Sequence, residues 1–149
     1  MNIRKMKYTD IQAVCLFEEK QMFPDTWNYS QFADSLLSDK YTCFIAEDEN
    51  TGEILGTVAI NFSLEEADLV NVLVAHKLRR TGLGSTLIEK VFEMCREIEL
   101  KKLFLEVRES NLPAIKMYLK FGFKKISQRK KYYSDGETAI IMVKEFSYV

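Results

Sequence analysis

Proline is scarce: Pro24 and Pro113 are the only two in 149 residues. No stretch is rich in proline, glycine or serine, and no segment repeats, so the sequence offers no boundary and residues 1–149 are expected to form a single domain. Cysteine is nearly as sparse. Cys15, Cys43 and Cys95 are odd in number and lack the C-x-x-C spacing of a metal or redox site, so they read as buried thiols in a reducing cytoplasm. No uncharged apolar run approaches the roughly 20 residues that a membrane-spanning helix needs. The basic start, Met1 to Lys7, leads to Asp10, Glu18 and Glu19 rather than to an apolar stretch, and no signal peptide is expected from it. Charge of one sign is lacking too. A net charge of −1 gives no bulk basic field, so neither direct nucleic-acid contact nor membrane contact is expected. With 47% hydrophobic and 29% charged residues, the composition is that of an ordinary soluble globular domain.

The hydropathy pattern predicts a short strand near residues 2–6, then helical segments over about 8–22 and 29–38, separated by Pro24-Asp25. Residues 41–48 and 53–62 alternate in strand fashion around Asn50-Thr51-Gly52, which predicts an antiparallel hairpin. A further strand is expected over 66–75. From Gly82 the period changes: Leu83, Leu87, Ile88, Val91, Cys95 and Ile98 mark one helical face, opposed by Ser85, Glu89, Glu93, Arg96 and Glu97. Lys101 to Val107 reads as a strand. Asn111 can then cap a helix with Pro113 in its first turn and its end at Gly122. Two last strands, Phe123 to Gln128 and Thr138 to Phe146, flank a polar loop containing Asp135-Gly136. The order is α/β, with antiparallel strands first and a parallel βαβ crossover in the middle.

The segment Asn71 to Ser85 joins a strand to a helix through a basic, glycine-containing turn. Phosphate binding requires such an arrangement: glycine permits close backbone approach, the first N–H groups of the helix point at the anion, and the helix dipole and arginines add positive potential. Two glycines one residue apart also occur in plain structural turns. The dinucleotide fingerprint fits poorly because its third glycine is missing, and a Walker loop lacks its Gly-Lys-Ser/Thr.

In Leu103-Phe104-Leu105-Glu106-Val107-Arg108 a carboxylate interrupts an apolar run at the carboxyl end of a strand, where ligands of open α/β sheets gather. A carboxylate held partly away from water has a raised pKa and suits general-base work near neutrality. The other reading is an exposed strand end paired with an Arg or Lys. On the following helix Asn111, Ala114, Ile115 and Tyr118 share the sheet-facing side. Tyr118 is either core filler or a hydroxyl that can donate a proton to a leaving group. His76 reads as a loop residue, and Arg129-Lys130-Lys131-Tyr132-Tyr133 as a solvated loop in preference to a nucleic-acid patch.

Together these residues resemble the GNAT superfamily of N-acetyltransferases, whose Arg/Gln-x-x-Gly-x-Gly/Ala motif matches Arg79-Arg80-Thr81-Gly82-Leu83-Gly84. Leu105 to Asn111, Ala114 to Tyr118, Phe121-Gly122-Phe123, Arg129 to Tyr133 and Ala139 to Met142 look like the RimI-type ribosomal protein alanine N-acetyltransferases. The resemblance spans roughly residues 41–146. It implies a GNAT fold, a mixed and mostly antiparallel sheet with helices on both faces, and acetyl-CoA as acetyl donor with coenzyme A as product.

By that resemblance the turn through Arg79, Arg80, Thr81, Gly82, Leu83, Gly84 and Ser85 holds the coenzyme pyrophosphate, and the edge of Val72, Leu73 and Val74 holds the pantetheine arm. Glu106 is implied as general base through water, Tyr118 as proton donor to the thiolate, and Asn111 as a coenzyme contact. A backbone N–H near Leu73 or Val74 would steady the oxyanion, and Tyr132 and Tyr133 would line a peptide entrance. The implied partner is a protein N-terminus, with a small-subunit ribosomal protein as leading candidate. One departure concerns the acceptor side: the family's Phe-Pro-Trp is here Phe23-Pro24 separated from Trp27 by two residues, and Trp27 reads as packing. A small-amine acetyltransferase and a non-catalytic coenzyme A-binding module are the competing readings; the tyrosine loop favours a peptide, and retention of Glu106 and Tyr118 favours an enzyme.

Overall fold

The computed structural model describes every residue except Phe23, Arg80 and Val149. Along the chain come β1 (Asn2–Lys5), a 3-10 turn (Tyr8–Asp10), α1 (Ile11–Lys20), α2 (Tyr29–Leu37), β2 (Tyr41–Glu47), β3 (Ile54–Ser63), β4 (Glu66–Val74), a second 3-10 turn (His76–Leu78), α3 (Leu83–Glu97), β5 (Lys102–Arg108), α4 (Leu112–Lys120), β6 (Lys124–Arg129) and β7 (Ala139–Glu145). The strand order is β1-β2-β3-β4-β5-β7-β6. All the described pairings are antiparallel save β4–β5, which runs parallel from Glu66↔Lys102 to Leu69↔Leu105. Helix α3 is the crossover between these two parallel strands, so the expected mixed α/β fold with flanking helices is the one observed. No helix among the described residues is long and apolar enough to cross a membrane.

The chain forms two compact units, Met1–Asn61 with Val70–Glu93, and Phe62–Leu69 with Met94–Val149. In the first, Met6, Ile11, Val14, Phe32, Cys43, Ile45 and Ala59 make one apolar cluster, and Phe17, Leu73 and Ala75 a second. The β2–β3 hairpin turns on Asp48, whose Oδ1 accepts the N–H groups of Asn50 and Thr51 at 2.8 and 3.1 Å. Helix α3 lies close on the sheet at Gly56. A Cβ there would stand 3.0 Å from Leu87 Cδ1 and 3.2 Å from the Leu73 carbonyl, so a larger residue would push the helix off.

In the second unit the alternation of β5 buries Leu103, Leu105 and Val107, and β7 buries Ala139, Ile140, Met142 and Val143. The edge strand β6 is exposed at all its residues. Helix α4 ends where the Phe123 N–H reaches the Tyr118 carbonyl at 3.0 Å and the Gly122 N–H that of Leu119 at 3.1 Å, with Gly122 left-handed.

Three expectations are corrected. Ile98 was expected on the buried face of α3 but is 53% exposed. The helix stops one residue earlier, Glu99 turns left-handed at φ 54°, and the Leu100 N–H bonds back to the Cys95 carbonyl, so Leu100 fills the core instead. The first helix is expected over 8–22, but its opening is a 3-10 turn and it ends at Lys20, before the left-handed Met22. Cys15 is half-buried rather than buried, whereas burial pushes the Cys43 and Cys95 thiols up to about 11.

Candidate active site

The turn into α3 is built for close approach. Gly82 is left-handed, with φ 91°, and a Cβ placed on it would meet nothing within 4 Å. The Thr86 N–H to Gly82 carbonyl bond, at 3.0 Å, opens the helical ladder, so the N–H groups of Leu83, Gly84 and Ser85 have no partner inside the helix. Thr81 bonds back to the Leu78 carbonyl through both its N–H and its hydroxyl, which fixes the entry to the turn. Arg79 is exposed; Arg80 lies outside the described residues. Leu83 is buried and anchors the helix start, while Gly84 and Ser85 are half-buried. On β4, Leu73 is buried, and Val72 and Val74 are half-buried. An open cradle of N–H groups at a helix start, beside an arginine, fits the pyrophosphate of coenzyme A.

Sequence reasoning missed a group in this first unit. Glu18 is fully buried on α1, among Ile11, Val14 and Phe17. Its Oε2 accepts the Thr57 hydroxyl and the Asn71 amide, both at 2.9 Å, and its Oε1 accepts the Trp27 N–H at 3.3 Å. Burial raises the Glu18 carboxyl above its ordinary range, while the Asn71, Thr57 and Trp27 donors pull it back. A carboxylate on the apolar stripe of a helix is the signal that could have found it. Trp27 is a packing residue, as expected, with its ring 5.1 Å from that of Phe32. The expectation about Phe23 falls outside the described residues.

The second unit holds the remaining candidates. Glu106 was expected partly away from water, but it is exposed, because the period of β5 sends Leu105 and Val107 inward and Glu106 to the open face. Its Oε1 stands 3.7 Å from Arg129 Nη1, an exposed pairing of the kind that contributes little. The same guanidinium lies 5.5 Å from the centre of the Tyr132 ring, and the Glu106 carboxylate first, then burial, raise the Tyr132 phenol above the usual tyrosine value. Carboxylate repulsion reaches Asp68 as well: burial first, then Glu106 and Glu66, lift its carboxyl.

Tyr118 is buried on α4, with its ring 5.5 Å from Phe123, and burial pushes its hydroxyl up to about 12. It therefore keeps its proton throughout the neutral range. Asn111 is the N-cap of α4, Oδ1 accepting the Ala114 N–H at a long 3.4 Å. Tyr132 is exposed and Tyr133 half-buried, their rings edge-to-face at 5.1 Å. Arg108, read from the sequence only as part of a motif, is buried at the end of β5 and pairs with Asp135 and Glu137. His76 is an exposed member of a 3-10 turn.

Comparison with known proteins bears on both units. Residues 8–123 match the model of the acetyltransferase (GNAT) family. A Bacillus subtilis relative is 35% identical over 141 residues, covering 94% of this chain and 92% of its own. The [ribosomal protein bS18]-alanine N-acetyltransferase of Escherichia coli is 33% identical over 144 residues, 94% of each chain. A crystal structure of the Escherichia coli ribosomal-protein-S18-alanine N-acetyltransferase superposes with a TM-score of 0.88 at 32% identity, over 99% of this chain and 95% of that one. The fold, the glycine turn and these relatives agree, and the chain belongs to the GNAT family as an acetyl-CoA-dependent acetyltransferase, closely related to the bS18-alanine N-acetyltransferases.

Proposed function

We propose that this enzyme acetylates the N-terminal α-amine of a protein, with an alanine-first small-subunit ribosomal protein as the leading acceptor, in the cytoplasm. The observation that carries this reading is the place of Tyr132: its ring lies 5.5 Å from the Arg129 guanidinium, which stands 3.7 Å from Glu106, so an aromatic loop stands beside the candidate base. Such a loop suits a polypeptide, whose first residue it can cover, better than a bare amine. The named activity of the Escherichia coli relative supports the same acceptor, and the absence of disulfides among the described cysteines suits a reducing compartment.

In this reading the N–H groups of Leu83, Gly84 and Ser85, with Thr81, Gly82 and the arginines Arg79 and Arg80, hold the coenzyme pyrophosphate. The Val72–Val74 edge holds the pantetheine arm and supplies the N–H that steadies the oxyanion, and Asn111 adds a further coenzyme contact. Acetyl-CoA, when bound, supplies an activated thioester carbonyl. Glu106 accepts a proton from the incoming ammonium, through water, so that a neutral amine is present. Its pairing with Arg129 is loose and exposed, so an incoming ammonium can replace it. Tyr118, protonated at neutral pH, offers its hydroxyl to the departing sulfur. Tyr132 and Tyr133 close over the acceptor's first residue.

Thiol release with a panel of N-terminal peptides, alanine-first ones included, and small diamines tests the proposal. The expected result is a kcat/KM for an alanine-first peptide at least tenfold above that for any diamine. A preference for the diamines would overturn it.

A further inference from the structure

The β6–β7 connection, residues 130–138, has little backbone bonding of its own. Tyr133 N–H to the Glu137 carbonyl at 3.2 Å and Gly136 N–H to the Tyr133 carbonyl at 2.8 Å close one turn, and Glu109 N–H reaches the Thr138 carbonyl at 3.0 Å. Lys131 and Gly136 are both left-handed. A side chain from β5 holds this segment in place. Arg108 Nη1 donates to Asp135 Oδ2 at 2.7 Å and to Glu137 Oε2 at 2.9 Å, and its guanidinium lies 4.1 Å from the centre of the Tyr133 ring. Glu137 Oε1 accepts the Ser110 N–H at 2.8 Å, and Asp135 Oδ1 accepts the Glu137 N–H at 3.0 Å.

From there the contacts run on. The Tyr133 ring meets Tyr132 edge-to-face, the Tyr132 ring lies 5.5 Å from the Arg129 guanidinium, and Arg129 Nη1 stands 3.7 Å from Oε1 of Glu106, two residues before Arg108 on the same strand. The path Arg108, Tyr133, Tyr132, Arg129, Glu106 thus begins and ends on β5. A buried guanidinium is expensive, and mere filling of this space would be done as well by an apolar side chain. Two carboxylates and a tyrosine face arranged around it demand the planar, multiply donating, stacking cation that arginine alone provides.

We infer that Arg108 is a positioning residue, which holds the β6–β7 connection so that Tyr132 stands against Arg129 beside Glu106 and thereby sets the acceptor side of the reaction. The inference rests on the reading of Glu106 as base and of this loop as the acceptor entrance. Without the guanidinium, Asp135 and Glu137 repel one another and the loop loses its anchor.

The test compares Arg108→Gln, Arg108→Lys and Glu137→Gln with the parent enzyme by hydrogen exchange and by steady-state kinetics, using the best acceptor from the peptide and diamine panel. In Arg108→Gln, amides of residues 131–138 should exchange at least tenfold faster while those of β2 and β3 keep parental rates. Acceptor kcat/KM should fall at least tenfold with the KM for acetyl-CoA within about twofold of the parent. Arg108→Lys, keeping the charge, should recover part of the loss. Should Arg108→Gln fail to fold, Glu137→Gln, which takes this carboxylate away from the guanidinium, carries the same expectations at smaller amplitude. Parental exchange at 131–138, or faster exchange with unchanged acceptor kcat/KM, overturns the inference whatever the acceptor. A parent inert toward every peptide overturns the acceptor reading instead, so the two fail separately.

Discussion

Tyr118 is where packing and chemistry can be separated with one atom. Phenylalanine keeps the ring against Phe123 and loses only a hydroxyl, so stability should change by no more than about 1 kcal/mol. If the hydroxyl serves the departing sulfur, turnover of Tyr118→Phe should drop on the order of 10²-fold with coenzyme affinity within a few fold. Thermal unfolding and kinetics on the same preparation decide; full activity in a stable variant removes Tyr118 from the mechanism. Glu106→Gln should lower turnover roughly 10²- to 10⁴-fold near neutrality. That defect should shrink as pH rises, because more of the amine is then neutral already, and a profile parallel to the parent's would point to positioning alone. Both residues stand out as candidates in the sequence because each breaks a pattern: a carboxylate in an apolar strand, a hydroxyl on a sheet-facing helix side. The environment of Glu106 was not legible. Which side of β5 faces water depends on what packs against it, and the pairing of Glu106 with Arg129 depends on the end of a strand more than 20 positions away. Arg108 escaped for the same reason, since its partners Asp135 and Glu137 are distant in sequence.

Every strand and α-helix was readable from periodicity and turn residues, because those signals act within a few positions. The ends were less so. Ile98 continues the apolar stripe of α3, yet the chain leaves the helix before it, and the left-handed Glu99 hands the core position to Leu100. No local propensity announces a glutamate at φ 54°. The turn before α3 is the contrary case, since glycine marks its left-handed residue. Gly82→Ala places a Cβ in open space, so its cost is confined to the backbone, about 1 kcal/mol. The effect on coenzyme binding should be larger than that, because relief of the strain swings the N–H groups of the first helical turn. Calorimetric titration with coenzyme A should give a Kd at least tenfold weaker than the parent's. An unchanged Kd in a folded variant would place the pyrophosphate elsewhere.

Over the whole molecule, the response to acid follows from which carboxylates sit beside cations and donors. Arg4 bonding holds the Asp10 carboxyl below its ordinary value, and Arg4 then Asn2 do the same for Glu47. For Asp48 the lowering comes first from the Asn50 and Thr51 N–H groups; for Asp135, from the Glu137 N–H and then Arg108; for Glu137, from Ser110 and then Arg108. A lowered folded value means stability that is present above the unfolded value, near pH 4, and lost as pH falls through the folded one. Glu18 and Asp68 have the opposite sign: their raised carboxyls favour the fold at low pH and forfeit that contribution as pH climbs through the raised values. Lowered carboxylates outnumber these two, so melting temperature should fall steeply below about pH 4. Arg4 allows a clean test, because its guanidinium bridges Asp10, at 2.8 and 2.9 Å, and Glu47, at 3.0 Å, between β1, the first 3-10 turn and β2. Arg4→Met keeps the stem and removes the charge. Near neutrality it should cost about 1 kcal/mol, or roughly 2–4 °C in Tm, since the pairing is bidentate but partly open to water. The cost should shrink as pH falls below about 4 and on through the lowered values of Asp10 and Glu47, where both gain protons in the parent as well, so the two melting curves draw together. Melts of both proteins from pH 3 to 7 decide the matter; a constant gap across that range would mean that Arg4 acts by packing and not through its charge.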